Sequence, residues 1–136
     1  LNNNTNMRVF CGLVDSVSTP ASASDPLNAV NGIALWFDSA VSAVWKIKHN
    51  DGSGASVTAA IGGGVAASTA TLYPVEIFYN NNTSKWRFVF NDIVTEVGTA
   101  DIPAATQNLG FWTYIENTTG ADRTMRVYYE EIYSDK

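Results

Sequence analysis

Side chains able to perform acid–base or nucleophilic chemistry are few in this chain of 136 residues. His49 is the single histidine and precedes an Asn-Asp-Gly sequence typical of a turn, so we expect a surface or turn residue. A catalytic base needs an orienting partner and a nucleophile within hydrogen-bond reach, and the sequence places neither near this histidine. A glycosidase needs two facing carboxylates, but Glu76 and Glu96 stand alone on their predicted strands. Glu130 and Glu131 are adjacent and point to opposite faces. We therefore expect no catalytic residues and no enzymatic activity.

Metal binding finds little support in the sequence. A zinc site requires three or four histidine or cysteine ligands, and the chain has two such residues in total, His49 and Cys11. Cys11 lies in an apolar run, where we expect a buried small hydrophobic side chain. Asp15, Asp38 and Asp51 near strand ends are weak calcium candidates, because calcium takes carboxylate oxygens from loops. No twelve-residue calcium loop accompanies them, so solvated turns are the preferred interpretation, and we expect no metal and no cofactor.

Aromatic side chains are the more informative group, with four Trp, six Tyr and six Phe. Trp36 alternates out of phase with the apolar residues of its predicted strand, and Trp112 and Tyr114 are out of phase with those of theirs. Tyr128 has a charged residue two positions away on either side. If these four side chains face solvent, they form a platform for stacking sugar rings or for binding a protein partner. The alternative is a second buried face or a covering loop, which the high average burial of large aromatics favours.

Charge and hydropathy exclude several classes of partner. Eight Lys and Arg against thirteen Asp and Glu give a net charge of -5, and the basic residues are scattered along the chain. Phosphate binding needs clustered positive charge, so nucleic acid and anionic membrane surfaces are poor partners. No apolar run approaches the roughly 18 to 20 residues of a membrane span and no signal segment is visible, so we expect no membrane insertion. The chain begins at Leu1, which is consistent with processing or with excision from a longer protein.

The elements that would position these residues are short strands. Segments rich in β-branched and aromatic residues alternate with period two and are separated by Gly, Asn, Asp and Ser. No stretch has the apolar spacing of a helix longer than one or two turns. With 46% hydrophobic residues for a single core, we expect one domain over 1-136. The predicted strands are Met7–Val14, Gly32–Asp38, Ala43–His49, Ala55–Ile61, Tyr73–Tyr79, Lys85–Asn91, Ile93–Gly98, Leu109–Glu116 and Arg123–Tyr133.

The strand pattern predicts an all-β, antiparallel, two-sheet β-sandwich, which we favour over a closed barrel. Asn91-Asp92 separates two strands and supplies two residues that tolerate positive φ, as a two-residue hairpin requires. With the polar loop Asn80–Ser84 before it, this turn predicts a three-stranded meander from Tyr73 to Gly98. The in-phase residues form the predicted core: Val9, Cys11, Leu13, Ile33, Leu35, Phe37, Trp45, Ile47, Tyr73, Val75, Ile77, Tyr79, Trp86, Phe88 and Phe90.

The order of these motifs carries a resemblance that spans nearly the whole chain. Strand and turn patterns follow one another at Arg8–Asp15, Asn31–Asp38, Trp45–Gly52, Gly64–Thr69, Tyr73–Ile77, Phe88–Asp92, Asp101–Pro103 and Arg123–Tyr129. In this order they resemble the concanavalin A-like, laminin-G-like jelly-roll domains of tailed-phage structural proteins. Asn91-Asp92 departs from the Asp-Gly that this family more often has, which leaves the type of hairpin open.

The resemblance implies a lectin-like jelly roll that serves as a non-enzymatic structural or adhesive domain of a bacteriophage virion. Such domains are capsid decoration proteins or head or tail fibre modules. The implied partners are other virion proteins or further copies of the chain as a homo-oligomer, with a cell-surface glycan as a further option. The domain would fold in the host bacterial cytoplasm, in keeping with its single cysteine, and be exposed on the virion. The alternative is a carbohydrate-binding module of a secreted bacterial protein or adhesin, which the fold alone does not establish.

Overall fold

The computed structural model describes residues 6–16, 25–68, 73–98 and 100–117, and these ranges contain eight β-strands and no helix. The predicted strand Arg123–Tyr133, and Tyr128 within it, lie outside the described residues. Nothing in the described ranges is a helix long and apolar enough to span a membrane. The strands are β1 Met7–Val14, β2 Asn31–Asp38, β3 Lys46–Asp51, β4 Val57–Ala60, β5 Val75–Asn80, β6 Lys85–Phe90, β7 Ile93–Val97 and β8 Gly110–Asn117.

The strands form two antiparallel sheets, which confirms the prediction of an all-β, two-sheet protein. The first sheet has five strands in the order β4-β3-β2-β1-β8, and the second has three strands in the order β5-β6-β7. Strand β8 pairs with β1, so that Ile115 lies directly opposite Val9. The five-stranded sheet therefore depends on a pairing between residues that are far apart in the sequence.

One hydrophobic core lies between the two sheets and takes side chains from both. Trp45 belongs to an aromatic group in this core, with its ring centroid 5.4 Å from that of Phe37 and 5.6 Å from that of Phe90. Removal of this apolar surface from water is the main favourable contribution to folding. The almost fully buried members of the core are Met7, Val9, Ile33, Leu35, Phe37, Ile47, Phe88, Phe90 and Val97.

Nine of the predicted core residues are buried, and Leu13, Tyr73, Ile77 and Tyr79 are half-buried and packed against the core. Two residues are exceptions. Val75 is 38% exposed, because it is the first residue of β5, an outer strand of the three-stranded sheet. Cys11 is half-buried, so the prediction of a buried side chain is wrong there. Strand alternation predicts the side of a sheet to which a residue points, but it does not predict how deeply the residue is covered.

Local turns determine where β6 ends and where β3 begins. Asn91 and Asp92 have φ values of 50° and 63°, which confirms the predicted two-residue hairpin and places both residues in the region that a type I′ turn requires. β3 begins at Lys46, three residues later than predicted. The chain before it forms a turn in which the backbone N–H of Ser42 donates to the carbonyl of Asp38 at 2.9 Å.

A second apolar cluster covers part of the outward side of the five-stranded sheet. Phe10, Val14 and Ala34 belong to β1 and β2, and Leu27 and Val30 from segment 25–30 pack against them. This side of the sheet is therefore not a plain solvated surface. It is the side on which the aromatic candidates lie.

Candidate functional site

Strand register brings three of the four aromatic candidates onto the outward side of the five-stranded sheet. Phe10 on β1 lies opposite Trp36 on β2 and opposite Tyr114 on β8, so the three form one row across the sheet. Trp112 lies on the same side, with its ring centroid 4.9 Å from Phe10 and 5.9 Å from Tyr114. We call Phe10, Trp36, Trp112 and Tyr114 the aromatic face. The fourth candidate, Tyr128, lies outside the described residues.

Exposure divides the aromatic face into two parts. Trp36 is 5% exposed, and the ammonium of Lys48 lies 4.9 Å from its ring centroid, so this indole is not available for ring stacking. Its burial agrees with the alternative of a second buried face. Trp112 and Tyr114 are half-buried and keep part of their surface in solvent. Partial burial and the carboxylate of Glu116 raise the pKa of the Tyr114 phenol, which therefore keeps its proton at neutral pH.

A polar cluster attaches segment 25–30 to the outward side of the same sheet. Lys48 Nζ donates to Ser56 Oγ at 2.8 Å and to Asp25 Oδ1 at 3.3 Å. Asp25 Oδ2 accepts the backbone N–H of Ser56 at 3.0 Å, and its Oδ1 accepts the Ser56 hydroxyl. We call these three residues the polar clip. Burial acts to raise the pKa of Asp25, but the hydrogen bonds from Ser56 and the charge of Lys48 outweigh it and lower the pKa.

The polar clip places a serine beside a lysine, a pair that can act as nucleophile and base in some enzymes. The hydrogen bonds of this pair do not suit that chemistry. A lysine that acts as a base must be neutral in order to take the serine proton. The Lys48 ammonium lies within ion-pairing distance of the Asp25 carboxylate and also donates to the Ser56 hydroxyl. The Ser56 hydroxyl donates to Asp25 and accepts from Lys48, so its proton points to a carboxylate. The clip therefore holds two loops together and does not activate a nucleophile.

Asn50 is a fully buried amide that links the same loops. Its Nδ2 donates to the carbonyls of Leu27 at 2.6 Å and Gly54 at 2.9 Å, while its Oδ1 accepts the N–H of Gly52 at 3.1 Å. Sequence reasoning assigned no role to Asn50 or to Lys48. Their spacing of two residues on β3 was the available signal, because it places both side chains on one side of the strand.

His49 is 4% exposed, so the prediction of a surface or turn residue is wrong. The reason is that β3 continues to Asp51 and carries the imidazole on its inward side, in phase with Ile47. Its Nδ1 lies 2.8 Å from the backbone carbonyl oxygen of Asp101, and since a carbonyl only accepts hydrogen bonds, Nδ1 carries the hydrogen. Among the described residues no hydroxyl, thiol or carboxylate is hydrogen-bonded to the other ring nitrogen. The histidine fastens the loop around residue 101 to the sheet.

The three aspartates considered as calcium candidates are separated, and each has partners within the protein. Asp38 is 1% exposed and accepts Arg8 Nε at 2.7 Å. Asp15 accepts the side-chain amide of Asn31 at 2.8 Å, and Asp51 accepts hydrogen bonds within its own turn. In the ranges that the structure describes, no group of three or more His, Cys, Asp or Glu residues could hold a metal ion.

The outward side of the three-stranded sheet carries exposed apolar side chains. Phe78 on β5 is 39% exposed and Val94 on β7 is 49% exposed, and the half-buried Val89 on β6 lies opposite Val94. Arg87 lies opposite Phe78, with its guanidinium carbon 5.7 Å from the ring centroid. Glu76 is exposed and lies opposite Val89. We call these five residues the exposed patch.

A recess of about 410 Å³ opens beside the turn that follows β2. Phe37 and four alanines line it together with Asn6 and Ser39. Ser39 Oγ already accepts the backbone N–H of Met7 at 2.9 Å. The recess therefore offers a ligand few directed polar contacts, which a specific small-molecule site needs.

Comparison of the chain with known protein families, with curated proteins and with solved structures found no match. The functional conclusion therefore depends on the residues of this chain and their arrangement.

Proposed function

We propose that this chain is a non-enzymatic structural or adhesive domain of a bacteriophage particle, built as a lectin-like jelly roll and displayed on the virion surface. The observation that carries the proposal is that both sheets present apolar side chains outward. Phe78 and Val94 are exposed on one sheet, and Trp112 and Tyr114 are half-buried on the other. Apolar side chains gathered on an outer face favour an interaction role. The motif order that resembles tailed-phage jelly-roll domains supplies the virion context.

The buried polar residues support a binding role over a catalytic one. Lys48 is held between a carboxylate and a hydroxyl, and His49 is hydrogen-bonded to a backbone carbonyl. The side-chain amide of Asn50 donates hydrogen bonds to backbone carbonyls of two loops. These groups fix loops to strands, and the result is a rigid scaffold that presents its outer faces.

Immunogold labelling of the source particle tests the virion role. Antibodies raised against the purified domain should decorate intact particles in negative stain, and absorption of the antibodies with the domain should remove the label. Unlabelled particles, under conditions where the antibody detects the domain in a blot of the same particles, would contradict surface display. Absence of the domain from that blot would contradict the virion role itself.

A carbohydrate-binding module is the second candidate, favoured by the neighbouring rings of Trp112 and Tyr114. Aromatic rings that keep part of their surface in solvent can stack on sugar rings, and the protonated phenol can donate a hydrogen bond. On this alternative Trp112→Ala abolishes glycan binding, while Phe78→Ala on the other sheet leaves it unchanged. Silence of the wild-type domain on a glycan array would rule against it.

A further inference from the structure

The exposed patch occupies the middle of the outward side of the three-stranded sheet. Strand register places Phe78, Arg87 and Glu96 in one row and Glu76, Val89 and Val94 in the next. Phe78 and Val94 are among the most exposed large hydrophobic residues of the described chain. The three apolar side chains are thus neighbours on one sheet face and are not scattered singly over the surface.

The charged side chains on this face balance one another in number, but only some of them form an ion pair within the described residues. Lys85 and Glu96 form an ion pair at 3.9 Å. Among the described residues, Arg87 and Glu76 have no ion-pair partner, and Arg87 Nε is buried with no hydrogen-bond partner. The face therefore carries two positive and two negative side chains within a chain of net charge -5. Within the described ranges, one positive and one negative side chain beside the apolar surface thus have no ion-pair partner.

We infer that the exposed patch binds the same patch of a second copy of this chain, with Arg87 of each copy paired to Glu76 of the other. In an interface with two-fold symmetry, a contact from residue i to residue j occurs twice. Arg87 of each copy then forms an ion pair with Glu76 of the other copy, so that the interface contains this pair twice. The face itself carries no net charge, so it adds no local repulsion to that between two chains of net charge -5. Such a dimer consists of this chain alone and does not require a virion.

The size of the face sets the expected strength of association. Strands of five or six residues rise by about 3.3 Å per residue and lie about 4.8 Å apart, so the three-stranded face measures roughly 20 Å by 14 Å. A stable complex buries about 800 Å² per partner, which is considerably more than this face supplies. We therefore expect weak, reversible dimers with a Kd on the order of 100 µM. Repeated display on one assembly would strengthen such contacts through a high local concentration.

Sedimentation equilibrium with charge-reversed variants tests the inference. Arg87→Glu and Glu76→Arg should each weaken dimerisation at least about tenfold, because each places like charges opposite one another twice. The double variant should return the Kd to within about threefold of the wild-type value, since the pair is restored with its signs exchanged. Lys46→Glu is the matched control, because it makes the same charge change on the other sheet and should leave dimerisation unchanged.

A second pair of variants tests the apolar part of the patch without altering Arg87. Val94→Lys should weaken dimerisation. Val41→Lys should not, because it alters an exposed valine in the turn after β2, which is not part of the exposed patch. Circular dichroism of every variant checks that the fold is kept. A wild-type chain that stays monomeric to 1 mM, on the order of ten times the expected Kd, would overturn the inference. A dimer Kd that is unchanged in both Arg87→Glu and Glu76→Arg would overturn the inference as well. Either result would leave the proposed virion role standing, because adhesion could use the aromatic face.

Discussion

At the scale of single residues, the outward side of the five-stranded sheet holds a buried charge by surrounding it with partners. Lys48 is 5% exposed, and its ammonium contacts the Asp25 carboxylate, the Ser56 hydroxyl and the Trp36 ring. Removing an ammonium from water is unfavourable unless such groups replace its hydration. The polar clip meets that need and at the same time ties segment 25–30 to β3.

Asp25→Asn should lower the free energy of unfolding by about 1–3 kcal/mol at neutral pH, because the Lys48 ammonium loses its counter-charge. The pKa of Asp25 is lowered in the folded protein, so the ionised carboxylate stabilises the fold above its unfolded pKa. That contribution is lost as the pH falls through the folded pKa. The variant should therefore lose less stability than wild type between about pH 5 and pH 2, as urea unfolding followed by tryptophan fluorescence would measure.

Asp92→Asn is the control for this experiment. It removes one carboxylate from an exposed turn, and asparagine tolerates the positive φ found there. Its stability should follow the wild-type pH curve. If Asp25→Asn also followed that curve, the polar clip would not be the stabilising contact described above.

Phe88→Ala should lower the free energy of unfolding by about 3–5 kcal/mol, because the side chain is fully buried between the sheets and its removal leaves a cavity. Val89→Ala, one residue along β6 and directed outward, should cost less than about 1 kcal/mol. Thermal melts of the two variants make the comparison. A larger loss for Val89→Ala than for Phe88→Ala would mean that the inward and outward sides of β6 are exchanged, and equal losses would contradict the burial of Phe88 between the sheets.

At the scale of elements, turn chemistry sets the register of the three-stranded sheet. Both residues of the β6–β7 hairpin have positive φ, which costs little for asparagine, aspartate or glycine and more for other residues. Asp92→Ala should therefore lower the free energy of unfolding by about 1 kcal/mol, while Asp92→Gly should cost less. Both changes remove the same carboxylate, so the difference between their urea midpoints isolates the backbone effect. Alanine as stable as glycine would contradict the turn geometry.

The β5–β6 loop should accept inserted residues. Residues 81–84 are exposed, and Thr83 and Asn82 donate backbone hydrogen bonds only locally, to the carbonyl and side chain of Asn80. Six Gly and Ser residues inserted after Asn82 should lower the free energy of unfolding by about 1 kcal/mol or less. The same insertion between Asn91 and Asp92 should cost more, because it destroys the two-residue turn. Denaturation curves for both insertions compare them, and a similar cost at the two sites would show that the longer loop is packed.

At the scale of the whole molecule, one core joins two sheets whose outer faces differ. Segment 25–30 covers part of the five-stranded sheet through the second apolar cluster, the polar clip and Asn50. The three-stranded sheet leaves Phe78 and Val94 exposed. The two faces therefore differ in how much of their apolar surface other parts of the chain cover.

Removal of divalent metal should leave the domain intact. Asp38 is paired with Arg8, and Asp15 and Asp51 accept hydrogen bonds from neighbouring residues, so metal is not needed to balance these carboxylates. A ligand that binds the folded state raises its stability in proportion to the logarithm of ligand concentration. Melting temperatures in EDTA and in millimolar calcium should therefore agree to within about 1 °C. A higher value in calcium would point to a loop site near these aspartates.

The amino-acid sequence by itself determined the all-β class, most strand positions, the inward faces and one turn. β1 was predicted and found at Met7–Val14, and Asn91-Asp92 was predicted and found to be a hairpin with two positive φ values. These features depend on residues that are neighbours in the chain. Period-two alternation and turn residues express them directly in the sequence.

Only the tertiary structure decided which distant segments contact the side chains of each strand. His49 is hydrogen-bonded to the backbone of Asp101, and the polar clip joins Asp25 to Ser56 across 31 positions. Trp36 was a candidate platform by its alternation, yet it is buried beneath Lys48 in the folded chain. Such contacts form between segments distant in sequence, whose approach depends on the packing of the whole chain. Local periodicity contains no record of which distant segment will cover a given face.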